Sequence, residues 1–307
     1  MFQAFELGPF LIWTRLAFMF AGIWVSTELF LRLAESANLS LQHFRDHSVW
    51  YAGAFVIVGR MIAMLSEYKA YVQDPLRIVF LSDGNFSFLG GAIGIGIVLY
   101  FATRGHRTIF LQWLDALLPA VTLGLVFSWF GSFFAGDAYG RPTDAFWGIT
   151  YDAVNVRYTI PVHPVQLYYA FFYLLLAFLL LIIRKKAKRV GSETLCGIVI
   201  ACLGTFVFES FRGDFSIPVF ATLLDFGILI FLFCSLGLFA VVEKRITHAL
   251  SIGYEFFLLI GTIAYMFVRP WLDLETYELR ISQLIAVLAL LITVVYVVDQ
   301  RRRHPYF

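Results

Sequence analysis

The sequence predicts an all-α fold, a polytopic transmembrane helical bundle of about nine spans, with the N-terminus outside and the C-terminus cytoplasmic. Three observations predict it. Mean hydropathy is +0.80, with 60% hydrophobic and 14% charged residues; apolar runs recur from end to end; and the basic clusters favour alternate connections. Soluble chains carry about a quarter of their residues as charges, so most of this chain belongs in lipid. A spanning chain has to satisfy its backbone internally, which leaves helices or a closed barrel. The runs Tyr168 to Ile183 and Ile217 to Val242 are continuous, without the alternation of barrel strands, and helices of roughly 20 residues cross about 30 Å of hydrocarbon.

The first span, 9–33, opens near Gly8 with no basic residue before it and no small-residue cleavage site after it, so it reads as a retained helix rather than a cleaved signal. The second, 50–66, carries Arg60; the third, 87–103, carries Gly90, Gly91, Gly94 and Gly96, a small-residue face for close helix contact, with Asp83 and Ser87 as caps at its start. Spans follow at 112–135, 164–183, 194–211, 218–242, 249–268 and 281–298. The connections after odd-numbered spans hold Arg45; Arg104 and Arg107; Arg184, Lys185, Lys186, Lys188 and Arg189; Lys244 and Arg245; and finally Arg301, Arg302 and Arg303. That side is cytoplasmic by the positive-inside rule. The opposite connections hold Lys69, Arg77, Arg141, Arg157, Arg212, Arg269 and Arg280.

One outside connection is too long to be a mere linker. Gly136 to Val162 contains Gly140, Pro142, Asp144, Gly148 and Pro161, turn chemistry that builds a structured loop. A net charge of +2 with scattered basic residues gives no nucleic-acid surface. Cys196, Cys202 and Cys234 all lie in apolar segments and read as small hydrophobes rather than disulfides or metal ligands.

The polar residues near the outer ends of the spans have a structural and a functional reading each. Glu209 is costly in a membrane unless paired, and Arg212 three residues on is its natural partner. Arg60 inside a span belongs against a cavity or a carboxylate. Asp137 and Arg141, four apart, brace a loop or work in a site; His163 before Pro164, with Gln166 and Tyr168, opens a helix or handles a proton.

Four stretches read together: Gly8-Pro9-Phe10; Gly59-Arg60 with Asp74-Pro75-Leu76 and Asp83-Gly84-Asn85-Phe86-Ser87-Phe88-Leu89-Gly90-Gly91; Asp115 and Pro119 through Gly131, Gly136, Asp137, Tyr139, Gly140 and Arg141; and His163-Pro164-Val165-Gln166-Leu167-Tyr168 with Glu209-Ser210-Phe211-Arg212-Gly213-Asp214. In this order and spacing the chain resembles the prolipoprotein diacylglyceryl transferase family over about residues 5–245. The resemblance implies a membrane domain over 1–248 with a periplasmic loop at 136–163, and two additional C-terminal helices in 249–307. It implies a multi-pass protein of the bacterial cytoplasmic (inner) membrane that moves the diacylglyceryl group of phosphatidylglycerol onto the lipobox cysteine of a prolipoprotein signal peptide, with no cofactor and no metal. Asp137, His163 and Glu209 become the candidate catalytic residues, and Arg60, Arg141, Gln166, Tyr168 and Arg212 the candidate substrate-binding residues.

The chain departs from the family pattern at several positions. Leu89 stands where the family has His before the Gly-Gly pair, Trp129 where it has an intramembrane Arg, Ser132 and Ala135 where it has Asn, Asp137 for Glu, Thr205 for Arg and Arg15 for Tyr. Lost arginines weaken phosphate binding and oxyanion stabilisation. Leu89, Trp129 and Thr205 therefore leave a second reading, a catalytically inactive homologue serving as a lipid-binding or assembly subunit with partners in a membrane complex. A transporter is a weaker third, without paired broken helices to speak for it.

Overall fold

A computed structural model describes residues 4–7, 10–66, 71–72, 86–104, 106–152, 156–186, 189–215, 218–242, 248–272 and 274–303. Gly8, Pro9, Lys69, Asp74 to Arg77, Asp83 to Asn85, Lys188, Lys244 and Arg245 lie outside the described residues. The chain divides into two compact units, 1–215 and 216–307.

In the first unit an antiparallel hairpin, β1 (Ala4–Leu7) with β2 (Phe10–Trp13), leads into α1 (Thr14–Ser36). The short α2 (Leu41–Asp46) and then α3 (Ser48–Ser66), α4 (Phe88–Ala102), α5 (Arg107–Ala135), α6 (Val165–Lys186) and α7 (Ser192–Glu209) follow. In the second unit β3 (Pro218–Ala221) pairs antiparallel with β4 (Tyr277–Arg280), beside α8 (Leu223–Val242), α9 (His248–Val268) and α10 (Ile281–Arg303). Among the described residues six helices, α1, α3, α5, α6, α7 and α10, are long and apolar enough to cross a membrane, and α4 and parts of α8 and α9 are shorter apolar helices. The architecture is an all-α polytopic membrane bundle; among the described residues its strands form two short antiparallel pairs.

Small residues and caps explain the packing of the first unit. Gly22 of α1 faces Gly124 and Phe127 of α5, where an added Cβ would come within 3.0 Å of the Phe127 Cβ. Gly90, Gly91 and Gly94 of α4 turn toward α3, while Gly96 has nothing within 4 Å, so three of the four glycines form the close face. Ser87 caps α4, its Oγ accepting the Gly90 N–H at 3.1 Å. The core runs through Phe30, Trp113, Leu99, Tyr169 and Leu180.

A polar clasp closes one end of this unit, here called the far end. Pro119 inside α5 has no N–H to offer the carbonyl four residues back, which is that of Asp115. The Arg184 Nη1 of α6 donates to that carbonyl at 3.2 Å and to Glu193 Oε2 at 3.2 Å. Its Nη2 donates to the Leu33 carbonyl at 2.7 Å in the last turn of α1, where the Ser36 hydroxyl and the Ala37 N–H also donate. The Asp115 carboxylate in turn accepts from Gly191 N (2.6 Å), Thr194 N (3.0 Å) and Thr194 Oγ1 (2.7 Å), capping α7 from a neighbouring helix. Asp115 and Arg184 together tie α1, α5, α6 and α7.

Inside the second unit, Asp225 at the start of α8 accepts from both Nε and Nη2 of Arg269 at 2.8 Å and from the Tyr265 hydroxyl at 2.6 Å. Thr222 and Asp225 exchange reciprocal side-chain-to-backbone bonds of 2.7 and 3.1 Å, a capping pair. The Ser235 and Tyr254 hydroxyls are hydrogen-bonded to each other.

Candidate active site

The opposite end of the first unit, where α5 and α7 finish and α6 begins, holds the second polar cluster. Helix α5 stops because Gly136 takes a left-handed φ of 77°, returning its N–H to Phe133 and Ser132. The chain then runs as a short extended strip. Arg141 N donates to Phe211 O at 2.8 Å, Gly213 N to Tyr139 O at 2.9 Å, and His163 N to Arg141 O at 3.0 Å. Bridges pair Gly140 with Arg212 and Pro142 with Val162. A side chain at Gly140 would overlap the backbone of His163, and one at Gly213 the backbone of Gly140. Three separate motifs, Tyr139-Gly140-Arg141, His163 to Tyr168 and Glu209 to Asp214, therefore share one seam. Tyr139, Tyr151 and Val162, with Phe133, Ile149, Val156 and Tyr158, form a small apolar core beneath the loop.

The charges on this seam are arranged in series. Glu209, its side chain 3% exposed, accepts from Arg212 Nη1 at 2.8 Å and from the Tyr169 hydroxyl at 3.0 Å. Arg212 also gives Nε and Nη2 to Asp214, at 3.1 and 2.5 Å. Burial opposes the charge on this guanidinium, but Asp214 and Glu209 more than offset that and raise its pKa. Asp137 pairs with Arg15 of α1 at 3.1 Å, both side chains about one-third exposed. The backbone of Arg15 lies against Gly131 of α5, so the absence of a side chain there lets α1 bring its cation to the loop. Arg141 is exposed and spends Nε on the Arg212 carbonyl at 3.3 Å.

Neutral side chains complete the arrangement. Gln166, fully buried, donates to the Asp137 carbonyl at 2.6 Å and accepts from the Tyr151 hydroxyl at 3.1 Å. Burial pushes the Tyr151 phenol up to about 12, with the Gln166 bond opposing. The Tyr168 hydroxyl meets His163 Nδ1 at 3.1 Å and accepts from Trp147 Nε1 at 2.7 Å. Trp129 stacks flat on Tyr169, centroids 4.1 Å apart and planes 6° apart.

Of the residues predicted from sequence, Asp137, Arg141, His163, Gln166, Tyr168, Glu209 and Arg212 are linked through this seam. The Glu209–Arg212 pair forms, whereas Asp137 and Arg141 take partners other than each other. Arg60 is buried in α3, its guanidinium over the Tyr71 ring at 5.4 Å from the centroid. Sequence reasoning missed Tyr169, Tyr151, Trp147 and Asp214. The doubled Tyr168-Tyr169 and the Arg-Gly-Asp run signalled two of these; nothing local signalled the contacts of Tyr151 and Trp147. Among the described residues no group of three or more His, Cys, Asp or Glu side chains is placed to hold a metal. A cavity of about 270 Å³ opens separately among α1, α3, α4 and α5, lined by Ile23, Phe30, Phe44, Phe55, Phe88 and Val121 among others, with none of the predicted site residues in its wall.

The sequence profile of the family described as prolipoprotein diacylglyceryl transferase matches residues 3–298. The chain is similar to the phosphatidylglycerol–prolipoprotein diacylglyceryl transferase of Azospirillum brasilense, 31% identical over 220 residues, which is 68% of this chain and 80% of the relative. The protein of the same name from Bordetella avium is 31% identical over 170 residues, 54% of this chain and 63% of the relative. That from Chlorobaculum tepidum is 34% identical over 183 residues, 54% of this chain and 62% of the relative. The chain thus spans less than two thirds of the last two relatives' length. The alternative of an inactive subunit finds no support in these comparisons. Apolar helices that can span a bilayer, three family motifs drawn onto one loop seam and a profile match over nearly the whole chain lead to one assignment: this multi-pass bacterial inner-membrane chain belongs to the prolipoprotein diacylglyceryl transferase family.

Proposed function

We propose that this chain transfers the diacylglyceryl group of phosphatidylglycerol to the lipobox cysteine of a prolipoprotein. In this reaction a C–S bond forms between the cysteine sulfur and the glyceryl carbon, the bond from that carbon to the phosphate oxygen breaks, and glycerol phosphate leaves with the bond's electron pair. The thiol proton passes to a protein base. The site must therefore hold a phosphate, accept a proton and open to lipid.

The observation that carries the reading is the seam itself, which sets a carboxylate, an imidazole and guanidinium groups at the end of a lipid-embedded bundle. Asp137 is the candidate base, its carboxylate one-third exposed. Arg141 is the candidate phosphate clamp: its backbone is pinned to Phe211 and His163, and among the described residues its Nη1 and Nη2 have no protein partner. Arg212 spends its donors on Glu209 and Asp214 and works by holding those carboxylates beside Tyr169. Gln166 and Tyr168 fix the backbone of Asp137 and the ring of His163. Arg60, buried in α3 over the Tyr71 ring, is not among the side chains joined at this seam. The apolar cavity between α1 and α4 suits an acyl chain.

The test is to express the chain in cells depleted of their own transferase and follow radiolabelled phospholipid onto a lipobox precursor. Label on the precursor, lost in Asp137→Ala and Arg141→Ala, is expected. A folded, membrane-inserted protein that transfers no label would overturn the reading.

A further inference from the structure

The loop between α5 and α6 reverses at Ala145-Phe146-Trp147-Gly148, where Gly148 N donates to the Ala145 carbonyl at 2.9 Å, the closing bond of a β-turn. Both arms of the turn are tied down. Thr143 Oγ1 accepts from Ala145 N at 3.2 Å, Thr143 N donates to Pro161 O at 3.0 Å, and Ile149 and Val162 exchange two backbone bonds of 3.0 Å. The central positions of such a turn usually take Gly, Pro, Asn, Asp or Ser. Here they hold Phe146, 94% exposed, and Trp147, 49% exposed, their rings edge to face with centroids 4.7 Å apart. A well-braced turn that presents two aromatic rings outward needs an apolar or interfacial cover for them.

The cover follows from where the turn is attached. Trp147 Nε1 donates to the Tyr168 hydroxyl at 2.7 Å, and Tyr168 stands in the first turn of α6, a helix long and apolar enough to cross the bilayer. Farther along α6, at spacings of three and four that keep to one face with Tyr168, come Phe171, Leu175, Phe178 and Ile182, each more than half exposed. Apolar side chains left open along a span face acyl chains. The turn is therefore hooked to the head of a lipid-facing stripe, at the depth where hydrocarbon gives way to headgroups and where Trp and Tyr are enriched.

We propose that the Ala145–Gly148 turn is an interfacial anchor: Phe146 and Trp147 insert into the outer leaflet at the level of the lipid headgroups, and the Trp147–Tyr168 bond sets their depth. The turn runs on through the Ile149–Val162 pairing to His163, so the anchor also holds the seam against the membrane surface. Bringing the seam to the phosphates of a lipid substrate is a consequence that rests on the function proposed above; the anchor itself does not.

The experiment places a nitroxide at Phe146→Cys in the full chain, with Cys196, Cys202 and Cys234 replaced by alanine, in phosphatidylglycerol-containing vesicles. Its collisions with oxygen, which concentrates among acyl chains, and with a water-soluble nickel chelate report depth. Oxygen is expected to dominate at 146, and the chelate at Asp152→Cys, an exposed position on the same loop. A label at 146 as open to the chelate as the one at 152 overturns the anchor. Trp147→Phe keeps an aromatic ring but removes the N–H, and is expected to shift the 146 label toward the chelate; an unchanged depth overturns the role of the Tyr168 bond. If the chain without cysteines does not fold, Phe146→benzoylphenylalanine in the native-cysteine chain decides: irradiation in membranes is expected to give an adduct of phospholipid mass, and an adduct to a polypeptide overturns the lipid assignment. In the transfer assay Phe146→Asp should raise KM for vesicle-borne phosphatidylglycerol with kcat held; a fall in kcat at constant KM overturns the link from anchor to seam. Should the wild type transfer no label, the function proposed above fails while the depth measurement still decides the anchor.

Discussion

The two ends of the first unit both place arginine against carboxylate in a helical bundle, yet they differ in what those groups have left to give. At the far end the Arg184 guanidinium is divided among Asp115 O, Glu193, Leu33 O and Ser36, and Asp115 caps α7. Those bonds close gaps that the helices themselves create, the missing N–H of Pro119 and the open N–H groups of α7, and add a further donor to the last turn of α1. At the site end Asp137 and Arg15 remain one-third exposed, and the Arg141 Nη1 and Nη2 have no protein partner among the described residues. An intramembrane charge is often taken as a mark of function. Here the exposure of Asp137, Arg15 and Arg141, rather than charge as such, sets the site end apart from the far end, where Glu193 is buried.

The sharpest way to break that contrast is Arg184→Ala. It strands Glu193, whose side chain is 4% exposed, together with the Asp115 carbonyl, and a buried pair broken on one side costs about 3–5 kcal/mol. Reversible unfolding of the purified protein should show a loss of that size, with any remaining folded protein still competent in label transfer. A loss below about 1 kcal/mol would mean the clasp is no more than a surface ion pair. Next in size is Glu209→Gln at the site end. The amide still accepts from Tyr169, and Arg212 keeps Asp214, so stability should fall by only about 1 kcal/mol. Transfer should fall by about 100-fold, the effect of disturbing a charge set up for the reaction. Parallel losses in both measurements would erase the difference between the ends.

Much of the site end was legible because its signals are local. Glu209 and Arg212 sit three apart on one helix and do pair; Gly136 and Gly140 stand where the backbone turns left-handed or passes another strand. The far-end clasp was half legible: Asp115 and Pro119 are four apart, the spacing at which a proline orphans a carbonyl, but nothing in the sequence says that the missing donor comes from Arg184, 69 residues on. Arg184 was read as part of a basic cluster that sets orientation, and its cluster neighbours Lys185 and Lys186 are indeed exposed. Arg15 with Asp137, and Trp147 with Tyr168, pair across 122 and 21 residues. Such contacts depend on how α1 and the loop lie against α5 and α6, which no periodicity encodes.

A pH titration separates the loop from both charge clusters. Tyr151 titrates near 10 when unfolded and at about 12 when folded, because burial beside Gln166 disfavours the phenolate. Its contribution to stability is fully present below pH 10 and is lost as pH rises toward 12, by at most about 1.4 kcal/mol per pH unit. Tyr151→Phe should remove that slope while costing about 1 kcal/mol at neutral pH for the lost bond to Gln166. A slope that survives the substitution would place its origin in another group.

The smallest effect belongs to Trp129, and it bears on what replaced the family's arginine. Its ring lies flat on Tyr169, the same tyrosine whose hydroxyl bonds Glu209. The stack therefore holds a donor against the buried carboxylate, which is a structural service to the charge series and no substitute for a cation. Trp129→Phe keeps a stacking ring of smaller area, so the expected cost is about 0.5–1 kcal/mol, with Glu209 still held by Arg212 and transfer changed by less than the Glu209→Gln variant changes it. If Trp129→Phe instead abolished transfer while leaving the unfolding midpoint in place, the indole itself would be touching lipid, and the boundary between structural and chemical groups at the site end would move to include it.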